Sequence, residues 1–136
     1  MVVPYSPLPD FKDKIVLAPL LPITFKNGKH EFSTFALVDS GATGAVISTV
    51  IADALSIKWN KIPVSHGLSI GGSFRSHRFN GLKAEIYDHE FTLSMGIIEA
   101  AAPYKCILGQ NDLFQRAKII FEAYKNQFEI IFRSYN

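Results

Sequence analysis

The sequence predicts an all-β domain with one or two short helices. Most apolar residues fall in runs of strand length, turn residues such as Asn27-Gly28 separate those runs, and only two segments show helical spacing. With 136 residues, 48% of them hydrophobic, the chain can build one packed core. We therefore expect a single folded domain, over residues 15–136.

The first 14 residues differ in character from the rest of the chain. They contain three prolines (Pro4, Pro7 and Pro9) and show no clear hydrophobic period. This composition predicts an irregular arm over residues 1–14 that packs against the domain or a partner.

A predicted hairpin leads to Asp39. An apolar strand from Ile15 to Phe25 meets the turn formed by residues 26–29, whose Asn-Gly pair suits the positive φ angles of a tight turn. A second strand then returns from Glu31 to Val38. The chain is thereby delivered directly to Asp39.

Two short helices and several further strands complete the predicted pattern. A capped helix is expected over residues 48–55, with Val50, Ile51, Ala54 and Leu55 at helical spacing. The segment NDLFQRAK predicts another, with Asp112 as an acid in its first turn. The remaining strands are predicted at 64–70, 74–87, 91–98, 106–108, 119–124 and 127–132, with turns at Gly71-Gly72, around Asp88-His89 and at Lys125-Asn126.

Charge and hydropathy argue against nucleic acid and membrane partners. The 14 basic and 12 acidic residues nearly balance and are scattered, without the basic stripe of a nucleic-acid-binding surface. The apolar stretch at residues 15–25 is interrupted by Pro19 and Pro22, and no run approaches the ~20 apolar residues of a membrane span. We expect neither partner.

Cysteine and histidine usage argues against a disulfide and a metal site. Cys106 is the single cysteine, so it has no partner within the chain, and we interpret it as a buried core thiol in a cytoplasmic protein. The four histidines show no close ligand spacing, and they are His30, His66, His77 and His89. We expect hydrogen-bonded or surface histidines and no cofactor.

The segment FALVDSGATGAVIS places Asp39 at the end of an apolar strand, within a loop of small residues. Small residues let backbone N–H groups approach a carboxylate and let two such loops come close together. Two other interpretations compete: a solvated turn after a strand, and a dinucleotide-binding loop beginning at Gly41. The second is opposed by the missing third glycine and by the strand-rich remainder of the chain.

Asp39-Ser40-Gly41-Ala42 resembles the active-site loop of aspartic peptidases. Two further segments lie in the order found in the retropepsin family: SIGGSF, where those enzymes place the tip of a flap, and CILGQNDL, which is similar to their apolar-apolar-Gly element. The resemblance covers residues 15–131 and implies a retropepsin-like closed β-barrel. It implies these site residues: Asp39 as the catalytic acid; Ser40, Gly41, Ala42 and Thr43 in its loop; Ile70, Gly71, Gly72, Ser73 and Phe74 in the flap; Ile107, Leu108 and Gly109 as structural support.

The chemistry of this family requires two carboxyl groups that share one proton. Only Asp39 lies in a DSG or DTG context, so the resemblance implies a homodimer with an Asp39 dyad on the twofold axis. It also implies an aspartic endopeptidase, with a polypeptide substrate bound in extended conformation. The alternative is a catalytically silent dimerisation or peptide-binding module of the same fold. Thr43-Gly44 departs from retroviral enzymes, which often have two acids there, so substrate preference does not carry over.

Overall fold

The computed structural model describes residues 1–9, 14–69, 72–99 and 106–134. With 63% of the chain in strands and 10% in helical conformation, the predicted all-β class is confirmed. The strands are β1 Val2–Pro4, β2 Ser6–Pro9, β3 Ile15–Ala18, β4 Leu20–Asn27, β5 His30–Val38, β6 Ala45–Ser48, β7 Val64–Ser69, β8 Gly72–Ile86, β9 His89–Ile98, β10 Cys106–Leu108, β11 Ala117–Glu122 and β12 Gln127–Phe132. The helix α1 is Thr49–Ala54, and 3₁₀ turns lie at Trp59–Lys61 and Ala123–Lys125.

A seven-stranded sheet in the order β4-β5-β10-β6-β9-β8-β7 forms the body of the molecule. The first of these strands, β4, also pairs with β8, through partners such as Phe25 and Ala84. Along β4 the side chains alternate, with Leu21, Ile23 and Phe25 fully buried. This alternation is the pattern expected of strands that bury one face, and it places the apolar core on the inner side of the sheet.

The predicted irregular arm is wrong in detail, because most of its described residues lie in strands. Residues 2–4 pair antiparallel with β12, and Val3 is buried opposite Phe128. Residues 6–9 pair with β3. The prolines are compatible with these strands because β1 is an edge strand and β2–β3 is a two-stranded ribbon, so each strand has a side that needs no ladder hydrogen bonds.

The hairpin before Asp39 is confirmed, with two corrections. The predicted strand over residues 15–25 divides at Pro19, because β3 pairs with β2 whereas β4 pairs with β5. The turn consists of Gly28 and Lys29, since Asn27 still pairs with His30. Gly28 alone has a positive φ, of 60°, so the turn uses the glycine but not the asparagine for its left-handed conformation.

Three other predicted hairpins are found, one of them formed by β11 and β12 around residues 123–126. The turn between β8 and β9 consists of Tyr87 and Asp88, with φ values of 44° and 68°, one position earlier than predicted. The hairpin of β7 and β8 pairs Ser69 with Gly72. The predicted Gly71-Gly72 turn therefore falls partly outside the described residues, because Gly71 is not among them.

The helix predicted at residues 48–55 is confirmed as α1, but its buried face differs. Ile51, Ala52 and Leu55 are buried, whereas Val50 is 54% exposed. Ser48 precedes the helix but its side chain makes no capping hydrogen bond. No helix among the described ranges combines the length and apolar character that crossing a membrane demands.

The second predicted helix, at residues 111–118, is wrong. Residues 110–116 form successive turns, with the N–H groups of Arg116 and Ala117 both bonded to the Leu113 carbonyl, and β11 begins at Ala117. The Asp112 carboxylate bonds a distant backbone N–H, that of Ala45, instead of stabilising a helix terminus. Tertiary contacts thus override the local helical spacing.

Candidate functional site

The end of β5 and the short strand β10 position Asp39. These strands run parallel, with Ile107 beside Leu37 and Leu108 beside Val38. The ladder continues one residue further, because the Asp39 N–H donates to the Leu108 carbonyl at 3.0 Å. Ile107 and Leu108 therefore fix the backbone from which the Asp39 side chain projects.

The loop after β5 folds back onto the Asp39 carboxylate. The Gly41 N–H donates to Asp39 Oδ1 at 2.9 Å, and the Ala42 N–H donates to the Asp39 carbonyl at 3.2 Å. Asp39 and Ala42 are half-buried, whereas Ser40, Gly41 and Thr43 are exposed. The arrangement orients a carboxylate at the surface of the chain with one oxygen held by backbone.

Residues 109–111 pack directly against this loop. The Gln110 and Asn111 N–H groups donate to the carbonyls of Ala42 and Thr43 at 2.9 and 2.8 Å. A Cβ on Gly109 would lie only 2.5 Å from the Ala42 oxygen, so this position has no space for a side chain. Gly109 therefore lies against the Asp39 loop, and the physical reason for a glycine here is close backbone approach.

Gln110 contributes a contact that the sequence interpretation missed. Its side-chain Nε2 donates to the Ser40 carbonyl at 2.6 Å and so bridges to the residue after Asp39. The only sequence signal for this role is its place immediately after the Gly109 element. Gln110 is thus added to the residues that hold the loop.

Asp112 is the second residue whose role was missed. It is 8% exposed, and its Oδ2 accepts the Ala45 N–H at 2.6 Å, where the Asp39 loop leads into β6. Burial raises the pKa of this carboxyl, while the bond from Ala45 and the charges of Arg78 and Arg116 oppose the rise. Asp112 therefore secures the far end of the loop that begins at Asp39.

The predicted flap residues lie in the hairpin of β7 and β8. Gly67 pairs with Phe74, whose ring occupies the space where a Cβ on the glycine would stand. Gly72 and Ser73 are exposed, and Gly72 has a φ of 120°. Ile70 and Gly71 lie outside the described residues, so the predicted tip is described only from Gly72 onward.

Other types of site find little support in the described part of the chain. No group of three or more His, Cys, Asp or Glu side chains in those ranges is arranged to hold a metal ion. Cys106 is buried, and desolvation raises the pKa of its thiol, which keeps it neutral. Two surface grooves of about 360 and 320 Å³ are lined by residues other than the predicted site residues.

Comparison with known proteins adds no assignment. No protein-family model matches the chain, and no curated protein matches it in sequence.

Proposed function

We propose that this chain is one subunit of a homodimeric aspartic endopeptidase with a retropepsin-like barrel. The observation that carries the proposal is the Asp39 loop: a surface carboxylate at a strand end, held by the Gly41 N–H and enclosed by residues 109–111. A solvated turn needs no such support from a segment 70 residues away. The pairing of β4 with both β5 and β8 favours a closed barrel, because the strand order then returns to its start.

The proposed chemistry uses two Asp39 carboxyl groups, one from each subunit, that share a single proton. The ionised group takes a proton from a water molecule while the protonated group hydrogen-bonds the scissile carbonyl, so the water oxygen attacks the carbonyl carbon. One of the two carboxyl groups, both now protonated, then gives a proton to the amide nitrogen. The C–N bond breaks as the oxyanion becomes the new carboxylic acid, and the dyad is left with its one shared proton. Exposure of Ser40 and Gly41 supports this arrangement, because the partner's loop must approach that surface.

The hairpin of β7 and β8 is proposed as the flap that covers an extended peptide. Its strands carry Phe74, half-buried over Gly67, and its exposed start at Gly72 and Ser73 is free of bulky side chains. Backbone groups of such a hairpin pair with an extended peptide as with an added strand. The half-groove of one chain would be completed by the second.

The decisive test compares cleavage of a mixed peptide library by the wild type, Asp39→Asn and Asp88→Asn under mildly acidic to neutral conditions. Asp88 lies in an exposed turn with positive φ, which Asn tolerates well, so this control changes the same functional group without strain. We expect Asp39→Asn to lose cleavage while keeping its dimeric mass, and Asp88→Asn to remain active.

Two other outcomes would contradict the proposal. Equal cleavage by the wild type and Asp39→Asn would exclude Asp39 as the catalytic acid. Peptide binding without cleavage by the wild type would instead indicate the silent peptide-binding module.

A further inference from the structure

His77 lies at the root of the hairpin formed by residues 64–69 and 72–77, hereafter the flap hairpin. It pairs across the ladder with Val64, the first residue of β7, and with Ile97 on its other side. Its side chain is buried, with the residue only 3% exposed. The proposed catalytic chemistry makes no use of this buried ionisable side chain.

Both ring nitrogens of His77 face hydrogen-bond acceptors. Nδ1 lies 2.8 Å from the Ile62 carbonyl oxygen, and Nε2 lies 3.0 Å from Oε2 of Glu99. A neutral imidazole carries one N–H and one lone pair, so it can satisfy only one of these acceptors. The imidazolium form carries two N–H groups and satisfies both. The positions of the two acceptor oxygens therefore fit the protonated ring.

The bonds from His77 join three parts of the chain. Ile62 lies just before β7, His77 lies on β8, and Glu99 follows the end of β9. The ring also packs edge-on against Trp59, with centroids 5.2 Å apart, and the Trp59 Nε1–H donates to Asp53 of α1. The protonated ring thus holds the start of the flap hairpin against the body of the molecule.

The electrostatic surroundings agree with this geometry. The Glu99 hydrogen bond, and then the Ile62 carbonyl, raise the pKa of His77, while burial and the charge of Arg75 lower it. In the 3₁₀ turn at residues 59–61, Trp59 packs edge-on against the His77 ring, and Lys61 is exposed. β7 and β9 present the apolar Val64 and Ile97, and Asp53 of α1 is bonded to Trp59 rather than to the ring.

We propose that His77 is a positioning residue whose imidazolium form anchors the flap hairpin and whose deprotonation releases the root of that hairpin. The importance of this anchor for peptide cleavage rests on the proposed function, whereas the anchor itself does not. Since the folded-state pKa is raised, the stabilisation is complete below the ordinary histidine value of about 6.5 and is lost as pH rises through the raised value.

Trp59 provides a direct reporter, because it is the only tryptophan in the chain and touches the titrating ring. Tryptophan fluorescence of the full chain is measured from pH 5 to 9 for the wild type, His77→Phe, Glu99→Gln and His66→Asn. His66 is a matched control, since it lies on the same hairpin but is exposed. We expect a transition centred above pH ~6.5 in the wild type and in His66→Asn. It should be absent in His77→Phe and shifted to lower pH in Glu99→Gln.

Amide hydrogen exchange tests whether the hairpin responds. Protection factors, corrected for the intrinsic pH dependence of exchange, should fall about tenfold at residues 64–69 above the transition, the effect expected from losing a hydrogen bond to a charged group. Protection in β11 and β12 should stay constant. If His77→Phe fails to fold, Glu99→Gln still permits this comparison, because the Glu99 side chain is partly exposed.

Several results would overturn the proposal: a transition that persists in His77→Phe or disappears in His66→Asn, a Glu99→Gln midpoint equal to that of the wild type, or unchanged hairpin protection. These readouts need no substrate. If the fluorescence and exchange results are as expected but no peptide is cleaved, the proposed function fails and the His77 anchor stands. If cleavage depends on Asp39 but the fluorescence transition is missing, the proposed function stands and the His77 anchor fails.

Discussion

At the scale of single residues, the candidate site depends on two kinds of contact. In the first kind, the backbone leaves no space for a side chain. In the second kind, a buried polar group needs a hydrogen-bond partner. Gly109 is the clearest case of the first kind, because its backbone lies against Ala42. Asp112 is the clearest case of the second, since its carboxylate is the partner of a buried N–H. Each gives a prediction that can be tested without knowledge of the substrate.

Gly109→Ala should destabilise the chain by about 1–3 kcal/mol, the usual cost of forcing an extra group into a packed site. The new Cβ would meet backbone atoms of Ala42 and Gly44, which cannot move without displacing the Asp39 loop. Gly44→Ala is the matched control, because nothing lies within 4 Å of its Cβ position. Urea denaturation of both variants measures the difference, and equal stability of the two would contradict the close approach.

Asp112→Asn should change how stability depends on pH. Because burial raises the folded-state pKa of Asp112, the native chain binds more protons than the unfolded chain between the unfolded and folded values. Stability of the wild type therefore falls as pH rises through this interval, and removal of the ionisable group should abolish that part of the fall.

Denaturation midpoints between pH 3 and 7 measure the effect of Asp112→Asn. The asparagine oxygen can still accept the Ala45 N–H, so folding should be retained. Asp112→Ala serves as the contrasting variant, because it leaves that N–H without its acceptor and should cost about 1–3 kcal/mol at every pH. An unchanged pH dependence in Asp112→Asn would contradict the assigned effect of burial.

At the scale of secondary-structure elements, hairpins deliver the chain to the site. The β4–β5 hairpin ends at Asp39 and the β7–β8 hairpin carries the proposed flap residues. Their registers follow from short turns, so the conformation of one turn residue affects a whole strand pair.

Gly28→Ala should lower the free energy of unfolding by about 1 kcal/mol, because an L-residue is strained in the left-handed conformation. A Cβ at this position would have no atom within 4 Å, so the loss comes from the backbone alone. Lys29→Ala, in the same turn but without a positive φ, should be nearly neutral. Thermal unfolding distinguishes the two, and a neutral Gly28→Ala would argue against the observed turn.

At the scale of the whole molecule, the proposed activity belongs to a pair of chains. In the proposed dimer a twofold axis would bring one Asp39 from each subunit together, so a mixed dimer of wild type and Asp39→Asn would hold only one competent acid. The same arrangement would make one substrate groove from two halves.

Mixing equal amounts of wild type and Asp39→Asn, with time for subunit exchange, should reduce cleavage to roughly half of that given by the wild type alone. Random pairing leaves half of the wild-type chains in mixed, inactive dimers. Addition of Asp88→Asn in place of Asp39→Asn should not inhibit. Cleavage that is indifferent to added Asp39→Asn would show that each chain acts independently or exchanges no subunits, and a measured mass separates these two results.

The sequence alone determined the β character, the hairpins before Asp39 and between β8 and β9, and the place of Asp39 at a strand end. These features depend on neighbours in the chain, through side-chain alternation and the φ preferences of turn residues, so local patterns suffice. The same local logic failed at residues 111–118, where helical spacing was outweighed by the bond from Ala45 to Asp112.

Which distant groups complete the site depends on the tertiary structure. Gln110 meets Ser40 across 70 positions of sequence, and Asp112 meets Ala45 across 67. The His77 ring has an acceptor at each nitrogen because folding brings both Ile62 and Glu99 to it, and β1 is a strand because β12 lies beside it. Hydrogen bonding and burial between remote segments depend on how the sheets assemble, and no local pattern of residues encodes that assembly.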